Sequence, residues 1–177
     1  PGDMEKLTKW LKPDIVVLTR LPDVPAHIEY FSSPDAVVEE KMRLVSAMRP
    51  DGVLIYNRDD VIIEKRLPEV LQKQLSFSRY SESDFQTGDD KVIYKDDVPS
   101  GVKFNLKHNK KSHKITISGT VGTQHVYSCA AAVTTAVELG VSIEKAVEAI
   151  SLLETPPGRM RLVPGIKSTT IVDDTYN

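Results

Sequence analysis

Two residues sit where chemistry is possible: His27, in a polar loop, and Lys41, on the helical stretch that follows it. Histidine titrates near neutrality and serves as a metal ligand or a phosphate contact. A loop histidine is equally an ordinary surface residue, and the residues alone leave both readings open. Lys41 lies four residues after Val37, three before Leu44 and four before Val45, which places it within the apolar stripe of its helix. In such a stripe a lysine either snorkels, lending its methylenes to the core, or has its pKa lowered by burial and becomes a nucleophilic amine. That amine can form a Schiff base or take up CO2. A carbamylated lysine is an anionic oxygen donor, the kind of hard ligand that Mg2+ accepts.

A second group lies toward the end of the chain. Arg159 follows Pro156-Pro157-Gly158, where it can grip a phosphate in bidentate fashion or simply face water. Asp173-Asp174, at a strand end, can bind a metal or a ribose, or start a turn. Gln124, His125 and Ser128 open an alanine-rich helix, within reach of a base or sugar, unless Ser128 and Thr123 serve only as helix caps.

The elements that must position these residues can be read from periodicity. Residues 3–12 predict a short helix with Asp3 as N-cap, ended by Pro13. Asp14 to Thr19 reads as a buried strand, and a strand running through a polar loop into a helix is where open α/β sheets place ligand chemistry. Ser33 can cap a helix from Pro34 to about Met48, followed by a turn at Pro50-Asp51-Gly52 and a second strand, Val53 to Tyr56. A helix around Val61 to Gln74, interrupted near Pro68, leads to a third strand over Leu75 to Tyr80. From Ser81 to Gly119, short β-like runs alternate with turns such as Thr87-Gly88-Asp89-Asp90 and His108-Asn109-Lys110-Lys111, which implies antiparallel strands with one face to solvent. Helices return from Thr123 to Gly140 and again after Ser142, with Ala146, Val147, Ile150 and Leu153 as the second stripe. Strands over Met160 to Val163 and Thr169 to Val172 follow.

Composition narrows the function classes. The 177 residues carry 40% hydrophobic and 27% charged side chains, ordinary for a globular protein that buries a core. A net charge of -2 argues against nucleic acid as a partner, and the basic run Lys107 to Lys114 reads as a solvated hairpin tip. No apolar stretch reaches the roughly 20 residues of a membrane span, and the polar start PGDMEKLTKW does not read as a signal peptide. One cysteine, Cys129, excludes an internal disulfide and suits a cytoplasmic location. Both ends read as cut from a longer chain.

Taken in order, these motifs resemble the central, ATP-binding domain of the Mur ligases. Pro1-Gly2-Asp3-Met4 is similar to the segment after the family's Mg2+-binding glutamate, and Asp14 to Thr19 with Ala26-His27-Ile28-Glu29 resembles its "Pd…viTn…aHle" stretch. Glu40-Lys41 resembles the helix that bears a carbamylated lysine, and Tyr56-Asn57-Arg58-Asp59-Asp60 the "NaDD" strand end. Gly122 to Ala132 resembles "GrHnvyNalAA", Gly158-Arg159-Met160 resembles "gRme", and Val172 to Asn177 matches the start of "iDDsYNanP". The last is most suggestive of the members that add D-alanyl-D-alanine to UDP-N-acetylmuramoyl-tripeptide.

The resemblance implies an α/β fold: a mostly parallel sheet flanked by helices, P-loop NTPase-like, with residues 81–119 as an antiparallel β extension. It implies ATP and Mg2+ as ligands, with His27 on Mg2+ and Lys41, as its carbamate, on or near a second Mg2+. Arg159 and Asp174 are then ATP contacts, Asp174 near the ribose, and Gln124, His125 and Ser128 lie beside the adenine. The implied reaction is ATP-dependent amide formation through an acyl phosphate. Departures are Arg20 where the family has asparagine, a long loop to His27, and Gln124, His125 and Ser128 where it shows His, Asn and Asn. The chain holds no G-x-x-x-x-G-K-[ST] motif. On this reading residues 1–177 are an incomplete central domain, with the phosphate loop and N-terminal domain before Pro1 and the C-terminal domain beyond Asn177, and are inactive alone. The alternatives are a folylpolyglutamate synthase-like or cyanophycin synthetase-like ligase, or a non-catalytic binding domain.

Overall fold

The structure is a computed structural model that describes residues 2–21 and 28–176. It divides into two compact units, residues 1–77 and 78–177.

The first unit is built as the apolar runs require. Strands β1 (Ile15–Leu18), β2 (Val53–Asn57) and β3 (Lys73–Ser78) pair in parallel with β2 in the middle. Every residue of β2 is buried, as its unbroken apolar run predicts for a strand covered on both faces. Between β1 and β2 runs α2 (Pro34–Ser46), which starts where Ser33 Oγ accepts the Ala36 N–H at 3.2 Å and Pro34 takes the first helical position. Val38, Met42 and Val45 of α2 pack with Val16, Leu18, Leu54, Tyr56 and Ile63 in one core.

Three local expectations give way here. Helix α1 spans only Asp3–Thr8, with Gly2 rather than Asp3 before it and no side-chain cap. Trp10 is 73% exposed, so nothing rewards continuing that helix toward Pro13. Helix α3 (Val61–Arg66) passes into a single 3-10 turn at Leu67–Glu69, because Pro68 cannot donate to the helical ladder, and Gln74 already belongs to β3.

The second unit opens with an antiparallel meander, β4 (Phe85–Lys95), β5 (Val98–His108) and β6 (Lys111–Ser118). Its hairpins turn at Asp96-Asp97 and Asn109-Lys110, all four residues with positive φ, the geometry that matches strand twist in a two-residue turn. Thr87-Gly88-Asp89-Asp90, expected as a turn, is instead a bulge inside β4. The register jumps between Gly88 and Lys91, and Asp89 adopts φ 55°. Arg79 clamps the bulge, its Nε and Nη2 reaching Asp90 at 2.7 and 2.5 Å. Burial works against the guanidinium charge, but the hydrogen bonds and charge of Asp90 outweigh it, and the Arg79 pKa lies above its ordinary value.

One face of the meander, with Val102, Phe104, Leu106, Ile115 and Ile117, is buried. Helices α4 (His125–Glu138) and α5 (Ile143–Ser151) pack against it, and α4 brings Ala130 and Ala131 inward while Ala132 stays exposed. Gly140, at φ 85°, closes α4 with Val141 N–H on Ala136 O and its own N–H on Val137 O, a Schellman ending. Ser142 caps α5 by accepting the Lys145 N–H, as expected. Strands β7 (Arg161–Pro164) and β8 (Thr170–Asp173) form a separate antiparallel pair. A parallel sheet flanked by helices, followed by antiparallel strands, is the α/β class expected from the sequence.

Candidate functional site

In the second unit, the polar residues at the start of α4, the loop Gly158–Met160 and the chain after β8 come together. The loop depends on backbone that favours glycine: Gly158 has φ 73° and Met160 φ 57°. A Cβ on Gly158 would lie 2.9 Å from Tyr176 N, so glycine is needed for close approach as well as for conformation. The loop is held from two sides. Gly158 N–H donates to Asp173 Oδ2 at 2.9 Å, Met160 N–H donates to Asp174 Oδ1 at 3.2 Å, and Tyr176 N–H donates to Gly158 O at 3.2 Å. From α4, His125 Nε2 lies 3.0 Å from Arg159 O; a carbonyl only accepts, so this nitrogen carries the proton.

The loop thus fixes the backbone of Arg159 while its side chain is exposed. The guanidinium carbon lies 3.6 Å from the centroid of the Tyr176 ring, a cation–π contact that restricts the side chain without neutralising it. The Asp173 carboxyl is held below the usual carboxylate range by the Thr175 hydroxyl, which donates to it at 2.7 Å, and by the Gly158 N–H. The result is an exposed, oriented cation beside two carboxylates and an imidazole. A guanidinium suits a phosphate, and an exposed Asp174 carboxylate suits a ribose hydroxyl.

Of the residues named from sequence, His125, Arg159 and Asp174 are therefore brought together. Gln124 and Ser128 are exposed one turn apart on the first turns of α4. The capping alternative for Thr123 and Ser128 does not hold, because the cap position before α4 is Gln124 and no side chain caps the helix there. Sequence reasoning missed Tyr176 and the steric role of Gly158. Only the left-handed turn that precedes Arg159 brings them into contact, and no spacing rule signals that.

The first unit holds Lys41, and its expected place within the apolar stripe of α2 is corrected: the side chain is exposed. The buried stripe of α2 runs Val38, Met42, Val45, and Lys41 is turned about 100° from Met42. Val37 lies at the edge of that stripe, and its i+4 neighbour emerges into solvent. His27 lies outside the described residues. At the end of β2, Asn57 Nδ2 donates to Thr19 O at 3.1 Å and Asp60 Oδ2 accepts the Leu21 N–H at 2.7 Å. Asp60 Oδ1 also accepts from Ile62 and Ile63 N–H, capping α3. Asn57 and Asp60 are thus engaged in holding the chain after β1.

Among the described residues no three His, Cys, Asp or Glu side chains form a group able to hold a metal ion. Among the described residues, too, no helix is long and apolar enough to cross a membrane.

Comparison with known proteins agrees with the order of motifs. Residues 1–136 match the family model of the Mur ligase middle domain. The UDP-N-acetylmuramoyl-tripeptide–D-alanyl-D-alanine ligase of Bacillus subtilis (strain 168) is 23% identical over 176 residues, 99% of this chain and 36% of that protein. The ligase of the same name from Buchnera aphidicola subsp. Baizongia pistaciae is 26% identical over 181 residues, 100% of this chain and 37% of its own length. A crystal structure of MurF ligase from Thermotoga maritima in complex with ADP superposes with a TM-score of 0.84 at 25% identity, covering 100% of this chain and 39% of that one. MurF from Acinetobacter baumannii, with a TM-score of 0.82 at 23% identity over 99% of this chain and 37% of its own, shares the fold. The chain thus spans between 36% and 39% of the length of these relatives. With its family model covering most of the sequence, this chain belongs to the Mur ligase middle domain family.

Proposed function

We propose that these residues are the nucleotide-handling part of an ATP-dependent carboxylate–amine ligase of peptidoglycan precursor synthesis, working in the cytoplasm. Its substrates are UDP-N-acetylmuramoyl-tripeptide and D-alanyl-D-alanine, by analogy with relatives of that name. The observation that carries the reading is the clamped loop that presents Arg159 beside Asp174 and His125. ADP in the Thermotoga maritima relative supports a nucleotide as the ligand.

The chemistry requires transfer of the ATP γ-phosphoryl group to the tripeptide's terminal carboxylate, giving an acyl phosphate. The amine of D-alanyl-D-alanine then attacks the acyl carbon, and the tetrahedral adduct collapses to the amide with release of phosphate. Here Arg159 contributes a fixed positive charge for phosphate oxygens, and its hold on Tyr176 lowers the cost of ordering it when nucleotide binds. Asp174 accepts a ribose hydroxyl hydrogen bond. The first turns of α4, with Gln124, His125 and Ser128, face the base.

Lys41 is proposed to act as its carbamate, an anionic oxygen donor, and its exposure leaves the amine open to CO2. Its proposed partner at Mg2+ is His27.

The test is ADP release by the full-length protein. It should require both UDP-N-acetylmuramoyl-tripeptide and D-alanyl-D-alanine, and Arg159→Ala should raise KM for ATP by about tenfold or more. ADP release that ignores D-alanyl-D-alanine would refute the substrate assignment. Lys41→Ala should nearly abolish turnover, with partial recovery in a buffer containing a short-chain carboxylic acid; full activity in that variant would end the carbamate role.

A further inference from the structure

The open face of the β4–β6 meander gathers three lysines into one cleft. Lys91, Lys103 and Lys114 line a hollow of about 390 Å³ together with Asp89, Phe104 and Asn105. The strand register puts them there: Lys91 pairs directly with Lys103, and Asn105, two residues further along β5, pairs with Lys114. Like charges directly opposed across a sheet cost stability. Sheet formation alone therefore gives no reason for this arrangement.

Among the described residues none of the three lysines makes an ion pair or side-chain hydrogen bond, although Lys103 is half-buried. The one carboxylate lining the cleft, Asp89, accepts the Asn105 Nδ2 hydrogen bond at 2.9 Å. Asp89 owes its place to the bulge, where it takes a left-handed φ of 55°. The cleft thus presents three ammonium groups and one carboxylate already engaged. Neighbouring strands lie about 4.8 Å apart, so lysines on three successive strands span roughly 10 Å. That spacing suits several linked anionic groups better than one, and the lysine ammonium is a point-charge binder of phosphate.

We propose that this cleft binds a small anion carrying two or more phosphate groups, through Lys91, Lys103 and Lys114. The proposal does not depend on Arg159, Asp174 or the ligase reading. It is tested by calorimetric titration of the chain at low salt with inorganic phosphate, pyrophosphate, tripolyphosphate and hexaglutamate. Affinity should rise from phosphate to tripolyphosphate, and K91Q/K103Q/K114Q should weaken tripolyphosphate binding about tenfold. A charge-matched variant at three exposed lysines elsewhere, K6Q/K9Q/K12Q, should stay within about twofold of the parent. K91Q/K114Q, which leaves the half-buried Lys103 in place, repeats the test with about a fivefold loss should the triple variant fail to fold. Equal losses in the cleft and control variants, no loss in the cleft variants, or hexaglutamate binding as tightly as tripolyphosphate would overturn the proposal.

Discussion

Asp60 is a single side chain on which two parts of the first unit depend. Its Oδ1 accepts the Ile62 and Ile63 N–H groups at 3.0 and 3.1 Å, capping α3, while its Oδ2 accepts the Leu21 N–H at 2.7 Å. Truncation in Asp60→Ala removes an N-cap, a loss of about 1 kcal/mol. It also strands the part-buried N–H of Leu21, a residue only 2% exposed, for about 1–3 kcal/mol more. The expected total is roughly 2–4 kcal/mol. Asp60→Asn keeps an oxygen for the cap but turns an amide donor toward another donor, so it should lose only the Leu21 share, about 1–2 kcal/mol. Urea denaturation followed by far-UV circular dichroism reads both. With a slope near 2 kcal/mol/M, Asp60→Ala should move the midpoint of the first unit by about 1–2 M. Hydrogen exchange should show faster exchange at Leu21, Ile62 and Ile63 in the alanine variant, and mainly at Leu21 in the asparagine variant. A midpoint shift below about 0.2 M for Asp60→Ala, or unchanged exchange at Leu21, would refute the two-sided role.

Other substitutions test other parts of the molecule. Gly158→Ala places a Cβ against Tyr176 N in a left-handed backbone and should cost about 1–2 kcal/mol or more; a variant as stable as the parent, with an unchanged Tyr176 ring environment by NMR, would contradict the clamped loop. Asp173 has its folded pKa depressed, so its contribution is present above the normal carboxylate range and is lost as pH falls through the folded value. Asp173→Asn should therefore flatten the acid side of the stability profile, and an unchanged profile counts against the Thr175 and Gly158 hydrogen bonds. Burial pushes the Cys129 thiol up to about 12, so iodoacetamide at pH 8 should label it slowly in the native chain and readily in urea; equal rates would place it at the surface.

Much of the scaffold was legible because local rules and burial agree there. The run Val53 to Tyr56 had to be a covered strand, and Ser33 and Ser142 sit at helix starts with the oxygen a cap needs. Lys41 was misplaced because Val37, Leu44 and Val45 frame one plausible stripe, while Met42, one residue away, defines the stripe that packs. A rotation of about 100° per residue leaves little margin in such a choice. At Thr87 to Asp90 the turn residues were recognised, but turns and bulges use the same chemistry. The anchor that decides between them, Arg79, lies outside the run. Arg159 and Asp174 could be named singly from their motifs. Their meeting depends on backbone angles at Gly158 and Met160 that no side-chain pattern encodes.

The two-residue turns of the meander bear on the order in which the chain acquires structure. Strands β4, β5 and β6 find their partners across Asp96-Asp97 and Asn109-Lys110, a search over a few residues that hairpins complete in microseconds. The partner of Ile15 is Val53, beyond a loop and a helix, so β1 cannot pair until that whole crossover has closed on itself. During refolding, amide protection should therefore arise in the meander first and in β1 last, although β1 precedes the meander in the sequence.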